Sequence, residues 1–211
     1  MTNLTDTIAA IATPPGEGAI GMIRLSGSDA IVIANKLFSG KDLTRQATHT
    51  LHFGKIKDGD TVVDEVVASI YKGPKSYTGE DIIEFSCHGS DYILRQVMDM
   101  CMAHGARMAT PGEFTLRAFL NGKLDLTQAE AVRDLIEAQT LTQVRQAASQ
   151  MGGALSRRVQ PLKQALVELI ALLEAGIDFA EDDVDVTPKD EIARRIHELE
   201  PPLASLEASF A

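Results

Sequence analysis

Ala109-Thr-Pro-Gly-Glu-Phe-Thr-Leu-Arg-Ala-Phe-Leu-Asn-Gly-Lys-Leu-Asp-Leu-Thr-Gln-Ala-Glu-Ala131 holds a Pro-Gly turn, an amphipathic segment, an Asn-Gly turn, a lysine and a helix start. The character of the chain changes across it. Before Asn121-Gly122, short β-type runs alternate with helical ones; from Leu126 onward only helical patterns remain. The pattern predicts an α+β layer domain over residues 1–120 and an all-α segment over 121–211.

Upstream, Thr7–Thr13 and Gly18–Leu25 read as strands around a Pro-Pro-Gly turn. Ser28–Phe38 reads as a helix with Ser28 as cap and Gly40 as stop. His49–Lys57 and Val62–Tyr71 read as a hairpin across Asp58-Gly59-Asp60. Asp81–Ser86 is a further strand, in which Ile83 and Phe85 share a face and Glu84 points the other way. Asp91–His104 is an amphipathic helix ended by Gly105.

Downstream, two capping boxes compete to start a helix: Thr127 with Glu130, or Asp125 with Gln128. That helix is expected to run to Gly152-Gly153. A second covers about Ser156–Gly176, with Pro161 in its first turn. Asp178–Asp185 reads as a solvated acidic connector, without the spacing of a calcium loop. Thr187-Pro188 then caps a third helix, whose Ile192, Ile196, Leu199, Leu203, Leu206 and Phe210 form a heptad seam. Pro201-Pro202 predicts a kink or break in it. The seam ends without helices to cover it, so its helix is expected to be loose or covered by a partner.

The 211 residues carry a net charge of −10, with 45% hydrophobic residues, no Trp and two Cys. Residues 1–120 contribute 11 Lys/Arg and 14 Asp/Glu, and 121–211 contribute 9 and 16, so the halves carry −3 and −7. No basic cluster supports a strong nucleic-acid footprint. No apolar run reaches membrane-spanning length, and the first residues lack the features of a signal peptide. Cys87 and Cys101 form neither a metal spacing nor a disulfide framework and read as reduced cytosolic thiols. Gly40-Lys41 is followed by Asp42 and Gly122-Lys123 by Leu124, so neither is a phosphate loop. Glu113 and Arg117, four apart, are placed to pair on a helix.

Two further segments match 109–131 in density of special residues. They are Ala12-Thr-Pro-Pro-Gly-Glu-Gly-Ala-Ile-Gly-Met-Ile-Arg-Leu-Ser-Gly27 and Gly73-Pro-Lys-Ser-Tyr-Thr-Gly-Glu-Asp-Ile-Ile-Glu-Phe-Ser-Cys-His-Gly89. Taken together, in this order, the three segments resemble the amino-terminal region of the MnmE (TrmE) family of tRNA-modification GTPases, from Asp6 to about Val186. In that family the helical domain is interrupted by the GTPase domain, and this chain resembles the part before the insertion.

The resemblance implies a folate-binding, dimerising first domain with an aminomethyltransferase-like fold, then the first segment of a helical bundle. It implies a reduced folate, 5-formyl- or 5,10-methylene-tetrahydrofolate, held by Arg24, Glu84 and Lys123. A carboxylate at Glu84 suits a pterin, whose ring N–H lies beside an exocyclic amino group. A guanidinium at Arg24 suits a ring carbonyl or the glutamate tail. For the whole enzyme it implies a cytoplasmic homodimer that modifies the tRNA wobble uridine at C5 with the flavoprotein MnmG (GidA). GTP, magnesium and potassium would act at sites outside these residues, so the chain is expected to be inactive on GTP by itself. The alternatives are a free-standing folate-dependent aminomethyltransferase-like enzyme and a ligand-free dimerisation scaffold. The helical tail argues against the first of these.

Overall fold

The computed structural model describes residues 5–178 and 188–209. Contacts divide the chain into one unit through Ala129 and a second from Glu130.

The first unit is built on a seven-stranded mixed sheet. Its strands are β1 (Ile8–Ile11), β2 (Gly18–Ser26), β3 (Phe38–Ser39), β4 (Thr50–Asp58), β5 (Thr61–Tyr71), β6 (Ile82–Gly89) and β7 (Arg107–Met108), in spatial order β3-β4-β5-β6-β2-β1-β7. All neighbours pair antiparallel except β1 with β7, which are parallel. The two hairpins expected around Pro14-Pro15-Gly16 and Asp58-Gly59-Asp60 are present.

Three helices complete this unit: α1 (Ala30–Leu37), α2 (Asp91–Ala103) and α3 (Glu113–Leu120). Ile23, Leu25, Ile83, Phe85, Ala68 and Ile70 are fully buried and pack with Ala30, Ile33, Leu37, Leu94, Val97 and Cys101 of α1 and α2. These aliphatic positions alternate along each strand, so one face of the sheet is covered by α1 and α2. Arg24, Glu84 and Ser86 lie at the intervening positions and face the other way. Leu51 and Phe53 of β4, 69% and 68% exposed, fall on that opposite face too: Leu51 pairs with Ser69, and Ser69 with Glu84.

Two local expectations are corrected here. Ser28 is not the cap of α1; Asp29 holds that position, and its backbone N–H donates to Thr7 Oγ1. Gly40 is not what stops α1, because Phe38–Ser39 already leaves the helix to pair with β4 at the sheet edge. Ring burial of Phe38 beside Phe85 favours that exit.

The remaining helices are α4 (Leu126–Glu137), α5 (Leu141–Met151), α6 (Ala154–Asp178) and α7 (Lys189–Ala208). Of the two competing boxes, the earlier register forms: Asp125 Oδ1 accepts from Gln128 N–H, and Gln128 Oε1 accepts from Asp125 N–H. The single helix expected over 126–151 is two. Thr140 starts the second with a complete capping box to Gln143, whose donors would otherwise be unsatisfied. Gly152 and Gly153, the latter at φ 76°, end it as expected.

Pro161 is not in a first turn, because α6 begins at Ala154 and carries the proline in its interior. Pro188 occupies the cap position of α7 rather than the first helical one. The break expected at Pro201-Pro202 does not occur; α7 continues to Ala208. Proline φ is compatible with a helix, and pairs such as Arg195–Glu191 brace the preceding turns. The connector acids Glu181, Asp182, Asp183 and Asp185, the Thr187 cap and the seam residue Phe210 lie outside the described residues.

Candidate functional site

Arg24 and Glu84 are direct partners across the β2–β6 ladder. Arg24 Nε and Nη2 both meet Glu84 Oε1 at 2.6 Å. The side chains are 28% and 13% exposed, so the pair is partly desolvated and open to a ligand on one side. Among the described residues, no hydrogen bond reaches the second carboxylate oxygen, Oε2. Two aromatic rings flank the guanidinium: Tyr77 with its centroid 6.0 Å from Cζ, and Phe114 at 5.7 Å. That distance permits cation–π attraction.

Tyr77 belongs to the loop between β5 and β6, and Phe114 to α3. Four side-chain contacts tie the loop to α3 and the turn after it. Tyr77 Oη meets Thr115 Oγ1 at 2.9 Å, and Arg117 reaches Glu80 at 3.2 Å. Asn121 Nδ2 donates to Thr78 C=O at 2.7 Å, and Lys123 Nζ donates to Pro74 C=O at 3.0 Å. Gly79 allows this approach. It has φ 81°, and an added Cβ would lie 3.2 Å from Asn121 Cβ and 3.4 Å from Lys123 Cγ. Of the three residues expected in the site, Arg24 and Glu84 are thus brought into contact. Lys123 instead anchors the loop that presents Tyr77.

Behind the loop lies a charged network that the sequence revealed only as the Glu113–Arg117 pair. Arg117 and Glu113 are 2% and 1% exposed in their side chains. Arg117 Nη2 contacts Asp6 at 2.6 Å and Glu113 at 3.2 Å; Arg107 contacts Asp6 at 2.7 Å and Glu113 at 2.6 Å. The Arg107 hydrogen bond, against the cost of burial, holds the Glu113 carboxyl down at about 2. Arg107 likewise leads in lowering Asp6. Thr110 closes the turn before α3 by donating its N–H to Glu113 Oε2 at 2.8 Å.

A histidine–acid contact lies on the same sheet. Buried Asp64 accepts from His88 N–H at 2.8 Å and meets His88 Nδ1 at 2.6 Å. This contact raises the imidazole pKa. Neighbouring Cys87 is buried and its thiol pushed up to about 12 by desolvation first, so it is no nucleophile. Gly89 sits where only a glycine fits: an added Cβ would stand 2.3 Å from Gly18 C=O. Among the described residues, no group of His, Cys, Asp or Glu is arranged to hold a metal, and no helix is long and apolar enough to cross a membrane.

The fold and site define a mixed-sheet α+β domain that presents a guanidinium–carboxylate pair between two aromatic rings, followed by a helical segment. Residues 7–123 match the family model described as "GTP-binding protein TrmE N-terminus", and residues 126–211 match that of the MnmE helical domain. The chain belongs to the TrmE N-terminal family. It is 56% identical over 213 residues to the tRNA modification GTPase MnmE of Koribacter versatilis, covering 99% of this chain and 47% of that protein. Against the MnmE of Christiangramia forsetii it is 47% identical, covering 99% and 44%. Against that of Flavobacterium johnsoniae it is 49% identical, covering 98% and 45%. The chain therefore spans less than half the length of these relatives.

Proposed function

We propose that this chain is the folate-binding and dimerising part of a tRNA-modifying protein. The observation that carries the reading is the Arg24–Glu84 pair between Tyr77 and Phe114. A pterin is planar, donates adjacent N–H groups and accepts at a ring carbonyl. A carboxylate with one unengaged oxygen, a guanidinium beside it and two aromatic faces match those features in kind. Lys123, whose Nζ holds Pro74 C=O of the loop that presents Tyr77, would be a third contact of the ligand. The ligand would be 5-formyl- or 5,10-methylene-tetrahydrofolate, with the 5,10-methylene form as the one-carbon donor.

In the whole protein this unit would dimerise and supply the carbon for a C5 aminomethyl-type group on the tRNA wobble uridine. GTP hydrolysis with magnesium and potassium would act through parts outside these 211 residues, and the flavoprotein MnmG would be the partner of the whole protein. The relatives' name, tRNA modification GTPase, supports that role. Isothermal titration of the chain with 5-formyl-tetrahydrofolate tests the ligand. A saturable heat is expected, and its absence overturns the reading.

A further inference from the structure

The two rings beside Arg24 come from different elements, and neither belongs to the strand that carries Arg24. A short relay centred on Glu80 holds all three together. Glu80 Oε2 accepts from Ser26 Oγ at 2.7 Å. Ser26 lies two residues beyond Arg24 on β2 and so on the same face. Ser26 Oγ also meets Thr78 Oγ1 at 2.7 Å, next to Tyr77, and Thr78 Oγ1 accepts from Glu80 N–H at 3.2 Å. Both Glu80 carboxylate oxygens accept from Arg117 Nη1, at 3.2 and 3.3 Å. Arg117 is three residues beyond Phe114 on α3, close to one helical turn away. Glu80, itself in the loop of Tyr77, therefore touches both β2 and the helix of Phe114 with one carboxylate. Ser26 and Thr78 are fully buried, which fixes the relay from below.

We propose that Glu80 is a positioning residue for the folate site: its carboxylate sets Tyr77 and Phe114 against Arg24 without touching the ligand. The inference rests on the folate reading of Arg24 and Glu84. Glu80 is not needed to neutralise Arg117, which keeps contacts to Asp6 and Glu113 at 2.6 and 3.2 Å. The network sets two guanidiniums, Arg107 and Arg117, against three carboxylates, Asp6, Glu80 and Glu113. Losing Glu80 leaves two against two. The charge balance of the fold thus survives the change, while the direct tie from β2 through Glu80 to α3 is cut and the loop keeps only its outer contacts to α3 and the turn after it.

The test is titration of the full chain with 5-formyl-tetrahydrofolate for wild type, Glu80→Ala, Ser26→Ala and the double variant, with circular dichroism melts on each. Each single variant is expected to stay folded at the assay temperature and to lose about tenfold in affinity, the scale of one hydrogen bond. The double variant should bind no more weakly than the weaker single one, because both changes cut the same relay. If Glu80→Ala does not fold, Ser26→Ala, a smaller change, decides alone. Wild type that does not bind overturns the folate reading and this proposal with it. Wild type that binds, with folded single variants within twofold of it, overturns the positioning role alone. So do losses that multiply in the double variant.

Discussion

Arg24 and Glu84 face each other on β2 and β6 with both guanidinium contacts on one carboxylate oxygen, Glu84 Oε1. The pair is closed on itself on one side and open at Oε2. A ligand that takes the carboxylate adds to the Arg24 contact or displaces it. Glu84→Ala is expected to weaken reduced-folate binding by about 1.5–3 kcal/mol, the range for a hydrogen bond to a charged group. Calorimetry on wild type and variant measures this. Equal affinities, with both proteins folded, would remove Glu84 from the site.

Arg117→Met tests whether the buried network stabilises the fold. The variant leaves Glu113 buried with Arg107 as its remaining cation, and Asp6 loses a contact of 2.6 Å. Breaking a buried ion pair from one side costs about 3–5 kcal/mol. Urea unfolding should show a loss of that size with an unchanged slope. A loss under 1 kcal/mol would mean that the remaining pairs or entering water already satisfy the carboxylates.

The same network sets the response to acid. The Glu113 pKa is lowered to about 2 in the folded protein, through Arg107 first, and that of Asp6 is lowered too. A depressed folded pKa means that the stabilisation is fully present above the unfolded value, about 4.3 for Glu. It is lost as the pH falls through the folded one. Unfolding free energy is expected to fall between about pH 5 and pH 2, and Glu113→Gln should flatten that fall. A variant that keeps the wild-type acid profile would contradict the assignment.

His88 should titrate above the usual histidine value, because Asp64 holds its Nδ1. The sign is opposite to that of Glu113: the stabilisation is present below the unfolded pKa and fades as the pH rises through the folded one. Proton NMR of the ring is the direct measurement. Asp64→Asn is expected to bring the pKa back toward 6.5. An identical titration in both proteins would detach the histidine from Asp64.

Much of this architecture was legible because it depends on local pattern. Ile83–Glu84–Phe85 declares its two faces by alternation, and both hairpins declare themselves through Pro-Pro-Gly and Asp-Gly-Asp. What stayed hidden depends on residues far apart in the chain. Asp6 and Arg117 are separated by 111 positions, and nothing near Asp6 marks it as a partner. Tyr77 and Phe114 lie 37 positions apart with no local signal linking them, and they meet Arg24 only because the loop and α3 come together. The split between α4 and α5 had a signal, Thr140 with Gln143. It was masked by the apolar positions that continue from Ile136 to Val144. The break expected at Pro201-Pro202 failed differently. Average helix energetics favour a break there, while the flanking ion pairs and the fixed proline φ allow the helix to continue.

The face of the sheet opposite α1 and α2 leads to the last prediction. Ile20, 64% exposed, sits on β2 just after the Pro-Pro-Gly turn and pairs in register with His88. Leu51 and Phe53 are exposed on the same face on β4, with β5 and β6 lying between. Exposed aliphatic and aromatic side chains on the sheet face that also carries Arg24 and Glu84 suit a two-fold contact, in which each copy presents the same face. We therefore expect a dimer at tens of micromolar, where a moderate interface populates. Sedimentation velocity should give a dimer for wild type and a monomer for Ile20→Glu, with both proteins folded by circular dichroism. Residues 1–120 should dimerise as the full chain does, since the patch lies within them. A wild-type monomer at that concentration would refute the contact. A dimer that survives both Ile20→Glu and Phe53→Glu would move it to another surface.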